Sequence, residues 1–290
     1  MTNSRAGFTL VELLIVVVLS AFMMGAAYQS LITQERVSRT TTEMVRGQDA
    51  LRTVVGIMES ELGDLATRGG AGIGAADILM ASPDSIRFRA GRAVGFLCAI
   101  LPSEKRLAMW SPQPFTAVQD GDAVLIFAEG DPTLGTVDRW LIGRSYSVET
   151  STEGCPSSPT GTAEQKLNLS DLAGNALSSG FLDPVKLGSP VRILREVTYG
   201  LFSFDGRWGL GRLSRNATDP DEILVGLDGP GYGLVFSYLD ATLTPITTTP
   251  IDPTTIAAIE ITVRSEARGG ADSKELSTTV FLRNNIGGTP

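Results

Sequence analysis

Glu12 is the only charged residue in an apolar run that extends from Phe8 to Ala27. A carboxylate inside a membrane-length apolar helix costs about 2.5–3.5 kcal/mol on insertion scales, so it calls for a partner or a task. Other groups able to do chemistry are few. Asp219, Asp221 and Glu222 lie close together with Asn216 nearby, hard oxygen ligands of the kind that hold calcium. Their Asp-Pro-Asp-Glu order lacks the spacing of a calcium loop, and a solvated turn is the plainer reading. Cys98 and Cys155 leave two readings open, a disulfide in an oxidising compartment or a buried free thiol at Cys98 in its apolar strand.

The chain has no histidine. Ser-His-Asp and Cys-His catalysis are therefore excluded, and the commonest zinc ligand is missing. Two cysteines alone make no structural zinc site. The glycine cluster from Gly69 to Gly74 lacks the Lys-Ser/Thr of a phosphate loop and reads as a hinge. Nothing selects a pair of acids for glycoside hydrolysis. The expectation is a protein that is not an enzyme and needs no cofactor and no metal, with Asp219, Asp221 and Glu222 as the one weak calcium candidate.

Lys plus Arg number 24 against 32 Asp plus Glu, a formal charge of −8. That balance opposes nonspecific binding to phosphate backbones, so no nucleic-acid partner is expected. Arg87, Arg89 and Arg92 form the densest basic group. The alternation of Arg87 and Arg89 suits a solvated strand face better than a nucleic-acid site.

The elements that must position these groups start with the apolar run. Phe8 to Ala27 is about 20 residues, the length a helix needs to cross a bilayer. The leader Met1 to Ala6 carries one positive charge, Arg5, which favours the cytoplasmic side and sends the remainder across. A secretory signal peptide cut after Ala27 is the rival, since Gly25-Ala26-Ala27 supplies small residues; an uncut signal anchor is another. The run exceeds the usual apolar length of a signal peptide, and Glu12 stands where such a segment is purely apolar.

Beyond the span, apolar residues recur at Val37, Met44, Leu51, Val55, Met58, Leu62 and Leu65, keeping one stripe on a helix. Gln34, Arg39, Glu43 and Arg46 fall on the other face. The pattern predicts one helix over residues 8–67, transmembrane over 8–28, ending before Arg68-Gly69-Gly70. A coiled coil is disfavoured because the stripe is sparse around Thr40-Thr41-Thr42. Packing on a head is expected for Leu51 to Leu65, with a more exposed stretch before it.

From residue 68 to 290 the pattern becomes a β-rich head. Strands are expected at Ser85–Ala90, Ala93–Leu101, Ala123–Ala128, Val137–Val148 and Glu196–Phe204, then at Trp208–Leu213, Ile223–Leu227, Leu234–Leu239, Ile256–Arg264 and Leu276–Arg283. Phe204-Asp205-Gly206-Arg207-Trp208 reads as a hairpin with an Asp-Gly turn. Thr150 to Pro190 is rich in Ser, Thr, Gly and Pro and reads as a long loop. The fold class is α+β, a long N-terminal helix on a large, mostly antiparallel sheet.

The glycine Gly7, the phenylalanine Phe8 that follows it and Glu12 four residues on, at the head of an apolar helix, together resemble the signal of type IV prepilins and pseudopilins. The resemblance implies a prepilin peptidase that cuts after Gly7, making 1–7 a leader peptide, and N-methylates Phe8. It gives Glu12 an assembly role, neutralising the new Phe8 amine of a neighbouring subunit. Ile259 to Ser265 and Leu276 to Asn284, with the Arg283-Asn284 ending, resemble the C-terminal strands of large PilW-type minor pilins and of the related J-type minor pseudopilins of type II secretion. Thr198 to Asp205 resembles the strand those proteins place before a variable loop.

Taken together, these resemblances imply a type IV pilin-like fold and a minor subunit added at or near the tip of a type IV pilus. Its partners would be the prepilin peptidase, other pilins or pseudopilins through their N-terminal helices, and an inner-membrane assembly platform. The chain would start in the bacterial inner membrane with a periplasmic head and pass into the filament. Two alternatives stay open: a minor pseudopilin of a type II secretion system, and a membrane-anchored binding or adhesion protein.

Overall fold

The computed structural model describes residues 10–63, 65, 77–101, 104–110, 118–130, 138–150, 154–155, 161, 165–268 and 272–282. Gly7, Phe8, the 68–74 glycine segment and the Arg283-Asn284 ending lie outside the described residues.

Helix α1 runs over Leu10–Leu62, 53 residues, or about 80 Å at 1.5 Å per residue. The threonines that weaken a helix by competing for backbone groups are absorbed here. Thr33, Thr41 and Thr42 each donate to the carbonyl four residues back, at 2.8 to 2.9 Å. The helix stops earlier than the Arg68-Gly69 pair suggests, where Gly63 N donates to Glu59 O at 3.0 Å. Its buried stripe is Leu51, Val54, Met58 and Leu62, spaced three or four apart on one face. Val37, expected in that stripe, is exposed.

The head contains a nine-stranded antiparallel sheet: β1 (Ile78–Ala81), β2 (Ser85–Leu101), β3 (Arg106–Trp110), β4 (Ala123–Ala128), β5 (Arg139–Thr150), β6 (Gln165–Ser170), β7 (Pro190–Phe204), β8 (Arg207–Ser214) and β9 (Asp221–Leu227). Its order is β1-β2-β3-β6-β5-β4-β7-β8-β9, and β2 also pairs with β7. The path β2-β3-β6-β5-β4-β7 therefore returns to β2 and closes a six-stranded barrel, which leaves those strands without free edges. Its interior is filled by residues such as Leu107, Met109, Ile126, Leu167, Leu169 and Ile193.

A second core lies where β2 and β7 continue beyond the barrel. There Ile86, Phe88, Val197 and Tyr199 meet the α1 stripe and the three-stranded sheet of β10 (Leu234–Leu239), β11 (Ala258–Arg264) and β12 (Glu275–Phe281). Phe88 stacks on Tyr199 with centroids 5.7 Å apart. Between the two cores the β2 register shifts at Gly91/Ala93. The extra residue changes the inward positions of β2 from 86 and 88 to 97, while those of β7 stay at 191, 193, 197 and 199. The Asp205-Gly206 turn joins β7 to β8 with φ of 49° and 77°, the double positive φ that a type I′ hairpin needs.

The stretch from Thr150 to Pro190 differs from the long loop expected. It contains β6, a wall of the barrel between β3 and β5. After β6, Leu177, Leu182 and Val185 turn back into the barrel core, and Lys105 Nζ donates to the Leu177 carbonyl. The Ser, Thr and Gly content of the segment hides the Leu167/Leu169 alternation. The whole is a long N-terminal apolar helix packed by its second half on a large antiparallel head, a pilin-like α+β fold.

Candidate functional site

The first half of α1 stands clear of the head. Leu13, Phe22 and Met24 are 63%, 75% and 73% exposed. An apolar helix surface of this extent, bare on every side, requires lipid or other apolar helices around it. Glu12 sits in the first turn, where a carboxylate opposes the positive end of the helix dipole.

Charge is concentrated in the head where β2, β7 and β5 come together. Glu196, 7% exposed, accepts from Arg144 Nη2 at 3.0 Å and from Arg215 Nη1, and lies 4.0 Å from Arg89 Nε. Beside it Arg195 grips Asp122 with two parallel bonds, Nε to Oδ1 and Nη2 to Oδ2, both 2.8 Å. Burial pulls the Arg89 and Arg144 guanidiniums below their usual value, with Glu196 opposing the shift. The bonds to Asp122 hold Arg195 above it. Three cations thus surround one carboxylate in an ionic knot.

This corrects the reading of Arg87 and Arg89 as one solvated face. Arg87 is exposed, but Arg89 is buried against Glu196. Arg92 turns to the helix, 3.8 Å from Glu61. No sequence signal announces the knot, because its members come from β2, β5, β7 and the turn after β8, which only barrel closure brings together.

Cys98 and Cys155 form a disulfide with Cα atoms 4.8 Å apart. Both are buried beside Ala108 and Trp110, so the bond ties the segment before β6 to the outside of the barrel. Asp219, Asp221 and Glu222 are exposed and do not converge. Asp221 pairs with Arg212 at 3.2 Å, and Asp219 accepts from Thr218. Among the described residues no group of three or more acids, cysteines or histidines is arranged to hold an ion.

Residues 2–28 match the family described as the prokaryotic N-terminal methylation motif. No curated protein and no solved structure matches the chain. Over this stretch the chain carries a prepilin-type N-terminal methylation motif, which implies processing by a prepilin peptidase. An exposed apolar helix and a disulfide-bonded head are consistent with a membrane-anchored extracytoplasmic subunit.

Proposed function

We propose that this pilin or pseudopilin-type chain is a structural minor subunit, cut after Gly7, methylated at Phe8 and added at or near the tip of a type IV pilus, where it primes assembly. The observation that carries this reading is the methylation motif over residues 2–28 at the head of a helix whose apolar half is exposed on all sides. That half anchors the chain in the bacterial inner membrane and then packs among sister helices in the filament. Its work is assembly rather than catalysis. The size of the head supports a tip position, since a barrel added to the helix-backed sheet crowds subunits stacked above it.

Mass spectrometry of the mature N-terminus tests the reading. N-methylated Phe8 is expected. An intact Met1 in cells with an active prepilin peptidase, or Tyr28 at the terminus, overturns it.

A further inference from the structure

The outer face of the barrel breaks the usual alternation of apolar inside and polar outside. On β4, Val124, Ile126 and Ala128 fill the barrel, yet the outward positions Ala123, Leu125 and Phe127 are apolar as well. Leu125 stands opposite Ile142 on β5 and Arg192 on β7, and Arg192 stands opposite Val94 on β2. Trp140 packs over the buried Leu125 and Leu194 and meets Phe127 edge-on at 5.4 Å. Towards β3, Phe96 stacks on Trp110 with centroids 6.4 Å apart. A groove of about 420 Å³ lies among Val94, Phe96, Arg192 and Leu194. It is open at Gly91, where an added Cβ would meet nothing.

The charge of this face runs against that of the chain. The outward positions of β2, β7, β4 and β5 carry Arg87, Arg89, Arg144 and Arg192 against the two acids Glu149 and Glu196, on a chain of net −8. Arg89 and Arg144 are engaged by Glu196. Arg192 is exposed, and among the described residues its guanidinium meets no carboxylate. An arginine standing on an apolar and aromatic floor has the composition of a protein interface core. Two exposed cations, Arg87 and Arg192, are too few to follow a phosphate backbone or to hold an anionic membrane surface.

We propose that the outer face of β2, β7, β4 and β5 docks a protein partner that presents carboxylates among apolar side chains, with one carboxylate seated on Arg192. The surface belongs to the head and does not depend on how the N-terminus is processed.

The test uses the full chain in a neutral-lipid nanodisc and three labelled peptides read by fluorescence anisotropy: alternating Phe and Glu, alternating Phe and Lys, and alternating Gly and Glu. The Phe-Glu peptide alone is expected to bind. Arg192→Glu should weaken it by about tenfold or more, as loss of a charge pair on an apolar floor does. Arg192→Lys should retain part of the affinity, and Arg36→Glu on the exposed side of α1 should change nothing. Equal binding of the Phe-Lys or Gly-Glu peptide, equal loss with Arg36→Glu, preference for an oligonucleotide or for anionic vesicles, or no binding at all overturns the proposal.

Discussion

Arg144 reaches Glu196 across an intervening strand. The two residues sit on β5 and β7, which do not pair, and the residue between them on β4 is Ala123, opposite Arg144 on one side and Leu194 on the other. Its methyl group lets the guanidinium pass over β4, donating at 3.0 Å to a carboxylate that also faces Arg89 and Arg215. A large side chain at Ala123 would block the approach.

Neutralising Glu196 leaves Arg89 and Arg144 buried without the anion they share. Removal of one partner from a buried ion pair costs about 3–5 kcal/mol, because the remaining charge stays desolvated. Glu196→Gln is therefore expected to lower unfolding free energy by that order, measured by denaturant titration of the full chain. Glu104→Gln, at an exposed position where the carboxylate pairs with Arg106, should cost under about 1 kcal/mol. Equal small losses for both would mean that the knot contributes little.

The disulfide constrains a sequence separation of 57 residues. Closing a loop of that size stabilises by about 4 kcal/mol in chain-entropy terms. Cys98→Ser, or reduction of the folded chain, is expected to lower the thermal midpoint. It should also expose the segment around Gly154 to protease while leaving the α1 stripe packed. An unchanged midpoint with continued protection would show that packing of Cys155 against Ala108 and Trp110 suffices without the bond.

The helix and most strands of this fold are legible because their signals are local. Leu51, Met58 and Leu62 declare a helix face by spacing alone, and all three are buried. Ala123–Ala128 reads as a strand because it is apolar at every position, although only the structure shows that this means one face in a barrel and one on an outer patch. The segment Arg106–Trp110 escapes because it is short, and β6 because Gln165, Lys166 and Asn168 mask two leucines. Asn168 is buried with bonds to Ser147 and Glu149 that no sequence pattern announces. Barrel closure is invisible for a different reason. It depends on β2 pairing with β7 roughly a hundred residues away, a contact set by twist and by the bulge at Gly91/Ala93 rather than by composition. Glu12 is legible because a single charge in an apolar run needs no fold to be noticed.

Three exposed turns are organised by carboxylates. Asp171 accepts from the amides of Ala173 and Asn175, Asp240 from those of Thr242 and Thr244, and Asp252 from that of Thr254. These bonds, led by Asn175, Thr242 and Thr254 respectively, hold each carboxyl below the ordinary value of 3.8. A lowered folded value means that the stabilisation is complete above the unfolded value and is lost as pH falls through the lower folded one. Carboxyl NMR titrations should give midpoints below 3.8 for all three, and the amide shifts of Asn175 and Thr244 should move with them. Midpoints at or above 3.8 would remove the turn bonds from solution.

Glu12 carries the prediction that reaches furthest into function. If the chain is cut after Gly7, a cationic amine appears on Phe8 at the edge of the hydrocarbon, and a carboxylate on the adjoining subunit is its natural counterion. At about 4 Å and an effective dielectric of about 20 the attraction is about 4 kcal/mol, enough to select one axial register among sliding apolar helices. Hydrophobic packing cannot make that choice, because Leu13, Val16 and Val17 present similar surfaces at neighbouring registers. Glu12→Gln is therefore expected to leave the cut after Gly7 intact while reducing recovery of the chain in sheared filaments by about tenfold or more. Glu12→Asp should fall between the two. Recovery is read by immunoblot of filament and membrane fractions, with the N-terminus checked by mass spectrometry. Normal incorporation of a fully cleaved Glu12→Gln chain would strip Glu12 of its docking role, whereas loss of cleavage would move that role to recognition by the peptidase.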